Sequence, residues 1–173
     1  HDDAPEDNPV PDAQGRVEVP VWRHALINIP HPLLKQGLVI LDTPGLNAVG
    51  AEPELTIHLI PQAHAVVFIL AADTGVTRSD LAIWRDHLSA PEASTDARLV
   101  VLNKIDTLWD TLNTAEQVQE QLQRQCATSA EMLGVPLGQV VPVSAQKGLV
   151  AKIQCDDLLL ESSGLPRLED VLA

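Results

Sequence analysis

The chain has 173 residues, 45% of them hydrophobic, and a formal net charge of −13. That length suits one domain with a real core, and the acidic balance excludes a nucleic-acid footprint, because its 11 Lys and Arg are scattered and backbone binding needs them clustered. Its apolar stretches fall far short of the roughly 20 residues that span a bilayer, and no basic start followed by an apolar run marks a signal peptide, so a cytoplasmic protein is expected.

Residues 1–15 hold Asp2, Asp3, Glu6, Asp7 and Asp12 with few large apolar groups, a composition that predicts an acidic mobile segment. Residues 16–173 are expected to fold. Over 16–29 apolar residues partly alternate through Val17, Val19, Val21, Ala25, Ile27 and Ile29, which suits an edge strand that Pro20 and Pro30 interrupt. The run 37–41 reads as a strand buried on both faces, and 66–70 and 99–102 read likewise; 140–143 is a weaker fourth. Helical stretches are predicted at 52–61, 78–88, 114–133 and 149–160. In the third, Val118, Leu122, Cys126, Ala130 and Leu133 recur at helical spacing before a stop at Gly134. From Leu165 to Ala173 another amphipathic pattern begins, with Pro166 in its first turn. Strands alternating with helices imply an α/β fold, a mostly parallel sheet with helices on both faces. Cys126 and Cys155 lie too far apart for a CxxC pair and are expected as reduced thiols, and the histidines are not grouped at ligand spacing.

Three polar blocks follow apolar runs, where ligands collect at the carboxyl ends of parallel strands. The first is Asp42-Thr43-Pro44-Gly45. Asp42 is a hard carboxylate suited to holding Mg2+ through water, and Gly45 lets its N–H approach a phosphate oxygen. The same four residues also suit an ordinary turn. The second is Asn103-Lys104-Ile105-Asp106. Asp106 can accept both the N1 and N2 donors of guanine, a pair adenine lacks, so the wrong base leaves the carboxylate unpaired. Asn103 can tie neighbouring loops, and the stem of Lys104 can lie across the base; a solvated loop is the alternative for this block alone. The third is Ser144-Ala145-Gln146-Lys147-Gly148. Ser144, Ala145, Gln146 and Lys147 would border the base, with the Ala145 N–H near its carbonyl oxygen and Lys147 packing on the other side. Order and position join the three blocks. No stretch reads Gly-x-x-x-x-Gly-Lys-Ser/Thr, so the usual phosphate cradle is missing from this sequence.

With these blocks the chain resembles the GTP-binding domain of the translation-factor-related GTPases, and more closely the bacterial dynamin-like proteins. Residues 42–47, 71–77, 101–109 and 142–148 carry the likeness. The resemblance implies a P-loop GTPase-like fold missing its first strand and phosphate loop, with GTP or GDP and Mg2+ as cofactors. In the full-length protein it implies GTP hydrolysis that drives self-assembly through the nucleotide face, and membrane remodelling by regions outside this chain, peripheral to the inner membrane. It implies no catalytic residue here: Leu46 stands where Ras-like enzymes carry a water-orienting glutamine, and the groups dynamin-like relatives use lie upstream, so the isolated fragment is expected to be inactive. Asp73, Thr77 and Asp80 would contact a neighbouring subunit across the nucleotide. The missing block would include the strand between those ending at Asp42 and near Leu70, to be supplied by an upstream piece. A ribosome- or RNA-assembly GTPase of the Era-like type, which the −13 charge disfavours, and a non-catalytic interaction domain are the alternatives.

Overall fold

The computed structural model describes residues 13–14, 25–43, 59–89, 98–109 and 113–173, in two compact units, His1–Pro53 and Glu54–Ala173. Apart from an exposed turn at residues 13–14, the expected acidic segment lies outside the described residues, as do most of the 16–29 strand and most of the 52–61 helix.

In the first unit the described residues hold one short helix, α1 (Pro32–Lys35). Pro32 starts it where a missing N–H costs nothing, and His31 Nδ1 accepts the Leu33 N–H at 3.3 Å. The run 37–41 corrects the sequence reading. It is not a strand, Val39 is 80% exposed, and Ile40 and Leu41 are exposed with it. Its β-branched, apolar composition favours extended backbone. A strand, however, needs a neighbour to take its N–H and C=O groups, and none of the strands among the described residues pairs with this run.

The second unit is built on a parallel sheet of β1 (Val66–Ala71), β2 (Arg98–Asn103) and β3 (Val140–Pro142), in that order. Phe68 lies opposite Val100, and Val100 opposite Val140. Because side chains alternate across a strand, one face carries Val66, Phe68, Leu70, Val100, Leu102 and Val140. Two helices cover that face. The first, α2 (Arg78–Ile83), runs on into a π-helical turn, Trp84–Leu88; the second is α3 (Ala115–Leu133). Trp84 fixes the packing, its ring centroid 5.2 Å from that of Phe68 and its indole N–H donating to the Leu133 carbonyl at 2.9 Å. Both helices begin with capping boxes, Thr77 with Asp80 and Thr114 with Gln117, which satisfy orphan N–H groups reciprocally. Gly134, at φ 67, ends α3 as expected. Cys126 is buried in this core, and burial pushes its thiol above the ordinary range, with Arg167 opposing; Cys155 is exposed.

The opposite sheet face is covered unevenly. The expected 149–160 helix is two helices, α4 (Ala145–Gln154) and α5 (Asp157–Ser162), because Cys155 turns left-handed at φ 55 and Asp156 caps the next segment by accepting the Leu159 N–H at 3.0 Å. After Gly164 comes α6 (Leu165–Leu172), whose Leu165 and Leu168 pack on Val101, Val141 and Val143. Cover then fades across the sheet: Val141 is 0% exposed and Val101 3%, but on β1 Val67 is 39% and Ile69 63% exposed. Among the described residues β1 is an edge strand. No helix among them is long and apolar enough to cross a membrane.

Candidate functional site

The carboxyl ends of β2 and β3 lie side by side, and the second and third blocks leave from them. Val143 N–H donates to the Leu102 carbonyl at 2.9 Å, and Ile105 N–H to the Val143 carbonyl at 3.3 Å, so the pairing of the strands continues into both loops. Beyond Asn103, Lys104 adopts φ 63, ψ 33, a left-handed conformation uncommon outside glycine. Local bonds hold it there. Its N–H donates to Asn103 Oδ1 at 2.8 Å, and its carbonyl accepts the Thr107 N–H at 3.0 Å and hydroxyl at 2.7 Å.

Side chains then lock the two loops together. Asn103 Oδ1 also accepts the Ala145 N–H at 3.1 Å. Ser144, fully buried, donates its hydroxyl to Asp106 Oδ1 at 2.5 Å and accepts the Lys147 N–H at 3.2 Å. The carboxylate of Asp106 is half-buried, at the start of a 3-10 turn, Ile105–Leu108. The ion pairs among the described residues are Arg124 with Glu120 and Lys152 with Glu169, and neither involves Asp106. A carboxylate has about four lone-pair sites, so the bond from Ser144 leaves it acceptor capacity for a ligand with two adjacent N–H donors. Ala145 and Gln146, both exposed, open α4, whose first amides form its partly positive end. The Ala145 N–H expected near a base carbonyl is directed at Asn103. Lys104 is exposed and Lys147 half-buried beside this corner.

Asp42 is exposed, in the first unit, and Gly45 lies outside the described residues. No group of three or more His, Cys, Asp or Glu that could hold a metal ion occurs among the described residues. Thr77 and Asp80 are engaged with each other, Asp80 Oδ2 accepting the Thr77 N–H at 2.9 Å and hydroxyl at 2.7 Å. One contact was not foreseen from sequence: Ser144 N–H donates to the Ser163 carbonyl at 2.7 Å. The residue is 19 positions away, and a buried Ser before Gly-Leu-Pro carries no motif that would flag it.

Residues 10–105, more than half of the chain, match the model of the dynamin family, to which the chain therefore belongs. It is 30% identical over 132 residues to a probable transmembrane GTPase, FZO-like and chloroplastic, of Arabidopsis thaliana, which covers 76% of this chain and 14% of that protein. It is 25% identical over 97 residues to a bacterial dynamin-like protein of Nostoc punctiforme, covering 56% of this chain and again 14% of the relative. The chain thus corresponds to a small part of each. Among solved structures, Era in complex with MgGDPNP and a segment of 16S ribosomal RNA aligns over 76% of this chain and 37% of its own, at a TM-score of 0.47 and 19% identity. The family assignment rests on the sequence matches alone.

Proposed function

We propose that this chain reads the guanine base for a dynamin-like GTPase. The observation that supports this is the Asp106 carboxylate, held by Ser144 at 2.5 Å beside an Asn103 that ties Lys104 and Ala145 together. In this reading Asp106 accepts the guanine N1 and N2 donors, and the stems of Lys104 and Lys147 flank the ring. The opening amide of Gln146 offers the positive end of α4 to the base carbonyl, while that of Ala145 is held by Asn103. Asn103 and Ser144 act by holding those groups in place.

Gly45 takes a phosphate oxygen in the same proposal, and Asp42 holds Mg2+ through water. A single exposed carboxylate suits an ion that keeps several of its waters and takes further oxygens from phosphates. That ion would neutralise charge developing on the phosphates when bound. With no phosphate-binding loop in the sequence, hydrolysis belongs to the full-length protein, whose catalytic groups are assigned upstream. The isolated chain turns over no GTP at a useful rate. Self-association through the nucleotide face and GTP-driven membrane remodelling are likewise assigned to the full-length protein, a cytoplasmic protein peripheral to the inner membrane. Membrane contact then uses regions outside this chain, and the −13 charge leaves it without a nucleic-acid partner.

Calorimetric titration of GDP and ADP against the chain and its Asp106→Ala variant tests the base assignment. The expected result is GDP binding at least about 100-fold tighter than ADP, since a polar pocket rejects a base that leaves its carboxylate unpaired, with that preference lost in Asp106→Ala. Equal affinities in the parent chain would overturn it.

A further inference from the structure

The turn between α5 and α6 presses on the third block from behind. Ser144 N–H donates to the Ser163 carbonyl at 2.7 Å. Ser163 is 0% exposed, and its hydroxyl closes the turn, donating to the Leu160 carbonyl at 2.5 Å and accepting the Leu165 N–H at 3.2 Å. Gly164 follows at φ 71, where a Cβ would overlap the Pro142 carbonyl oxygen and lie 3.6 Å from Val143 Cα. Those two residues lead directly into Ser144. In the first turn of α4, a Cβ on Gly148 would come within 2.7 Å of Leu165 Cδ2 and 3.0 Å of Ser163 Oγ. The turn and the first residue of α6 therefore meet the third block at its entry, at Ser144 itself and in the first turn of α4.

We propose that Ser163 and Gly164 are positioning residues for base recognition: the turn fixes Ser144, and Ser144 fixes Asp106 at 2.5 Å. The role rests on the base-reading function proposed above. Two parallel hydrogen bonds to a planar base demand a fixed carboxylate plane, and a reading group is only as well placed as the shell that supports it. Glycine is required at 164 because a side chain would meet both a left-handed backbone and the Pro142 carbonyl. A turn that merely contributed to folding would change stability and leave base choice alone.

The test uses the full-length protein with Gly164→Ala and, as a milder change should that variant not fold, Ser163→Ala. Affinities for GDP and for inosine diphosphate, whose base lacks the 2-amino donor, are measured by displacement of a labelled nucleotide. Thermal melting and hydrogen exchange at the Ser144 amide are followed alongside. The expected result is a fall of roughly five- to tenfold in the preference for GDP, the scale of one hydrogen bond, with cooperative melting kept and faster exchange at Ser144. A folded variant with the parent's preference and the parent's Ser144 exchange overturns the positioning role and leaves base reading intact. A parent protein with no preference for GDP over inosine diphosphate overturns the base-reading assignment, and the positioning role falls with it.

Discussion

Two runs of this chain are nearly interchangeable on paper. Leu38-Val39-Ile40-Leu41 precedes Asp42, and Leu99-Val100-Val101-Leu102 precedes Asn103. Only the second is a strand. Leu102 and Val100 are fully buried, with parallel partners on both sides at Leu70 and Pro142 and at Phe68 and Val140. Val39 is 80% exposed and unpaired with any strand among the described residues. The difference lies in what each run can pair with, and it decides what the following motif becomes. After β2, ladder bonds carry on into the loops and deliver Asn103 and Asp106 to fixed places. After 37–41, Asp42 follows exposed, irregular backbone.

Substitutions can break or sharpen that contrast. The largest effect is expected for Leu102→Ala, which empties a fully buried position in the main core and should cost about 2–5 kcal/mol, read from the urea unfolding midpoint. A smaller loss, about 1 kcal/mol, is expected for Thr114→Ala, which removes the capping box that starts α3 over the same sheet face. The smallest belongs to Val39→Ala, expected within about 0.5 kcal/mol because an exposed side chain loses little on truncation. A Val39→Ala cost rivalling that of Leu102→Ala would mean that 37–41 is a buried strand after all.

Much of the second unit was legible in the sequence, for local reasons. β1, β2 and β3 follow from short apolar runs, and α3 from its helical stripe and Gly134. Asn103, Asp106 and Ser144 stand out in the sequence because the chemistry expected of them depends on residue type at strand ends, and the structure brings them to one corner. The overextended helix at 149–160 hid a left-handed Cys155, a residue with no glycine-like cue; the visible signal was Asp156 ahead of Leu158-Leu159-Leu160. The strand at 37–41 was read wrongly because pairing is non-local, whereas composition is not. The Ser163 support was invisible because it acts through a backbone carbonyl.

The most direct measurement of the central claim is a base-switch titration. Labelled GDP is titrated against the chain in the presence of magnesium, followed by energy transfer from Trp109, whose backbone N–H donates to the Asp106 backbone carbonyl at 3.1 Å, with unlabelled GDP and xanthosine diphosphate as competitors. Xanthine replaces the 2-amino donor with a carbonyl acceptor, which an Asn amide can complement and a carboxylate cannot. The account predicts that the parent prefers GDP and that Asp106→Asn reverses the order. A folded Asp106→Asn variant that keeps the parent's GDP preference would contradict it.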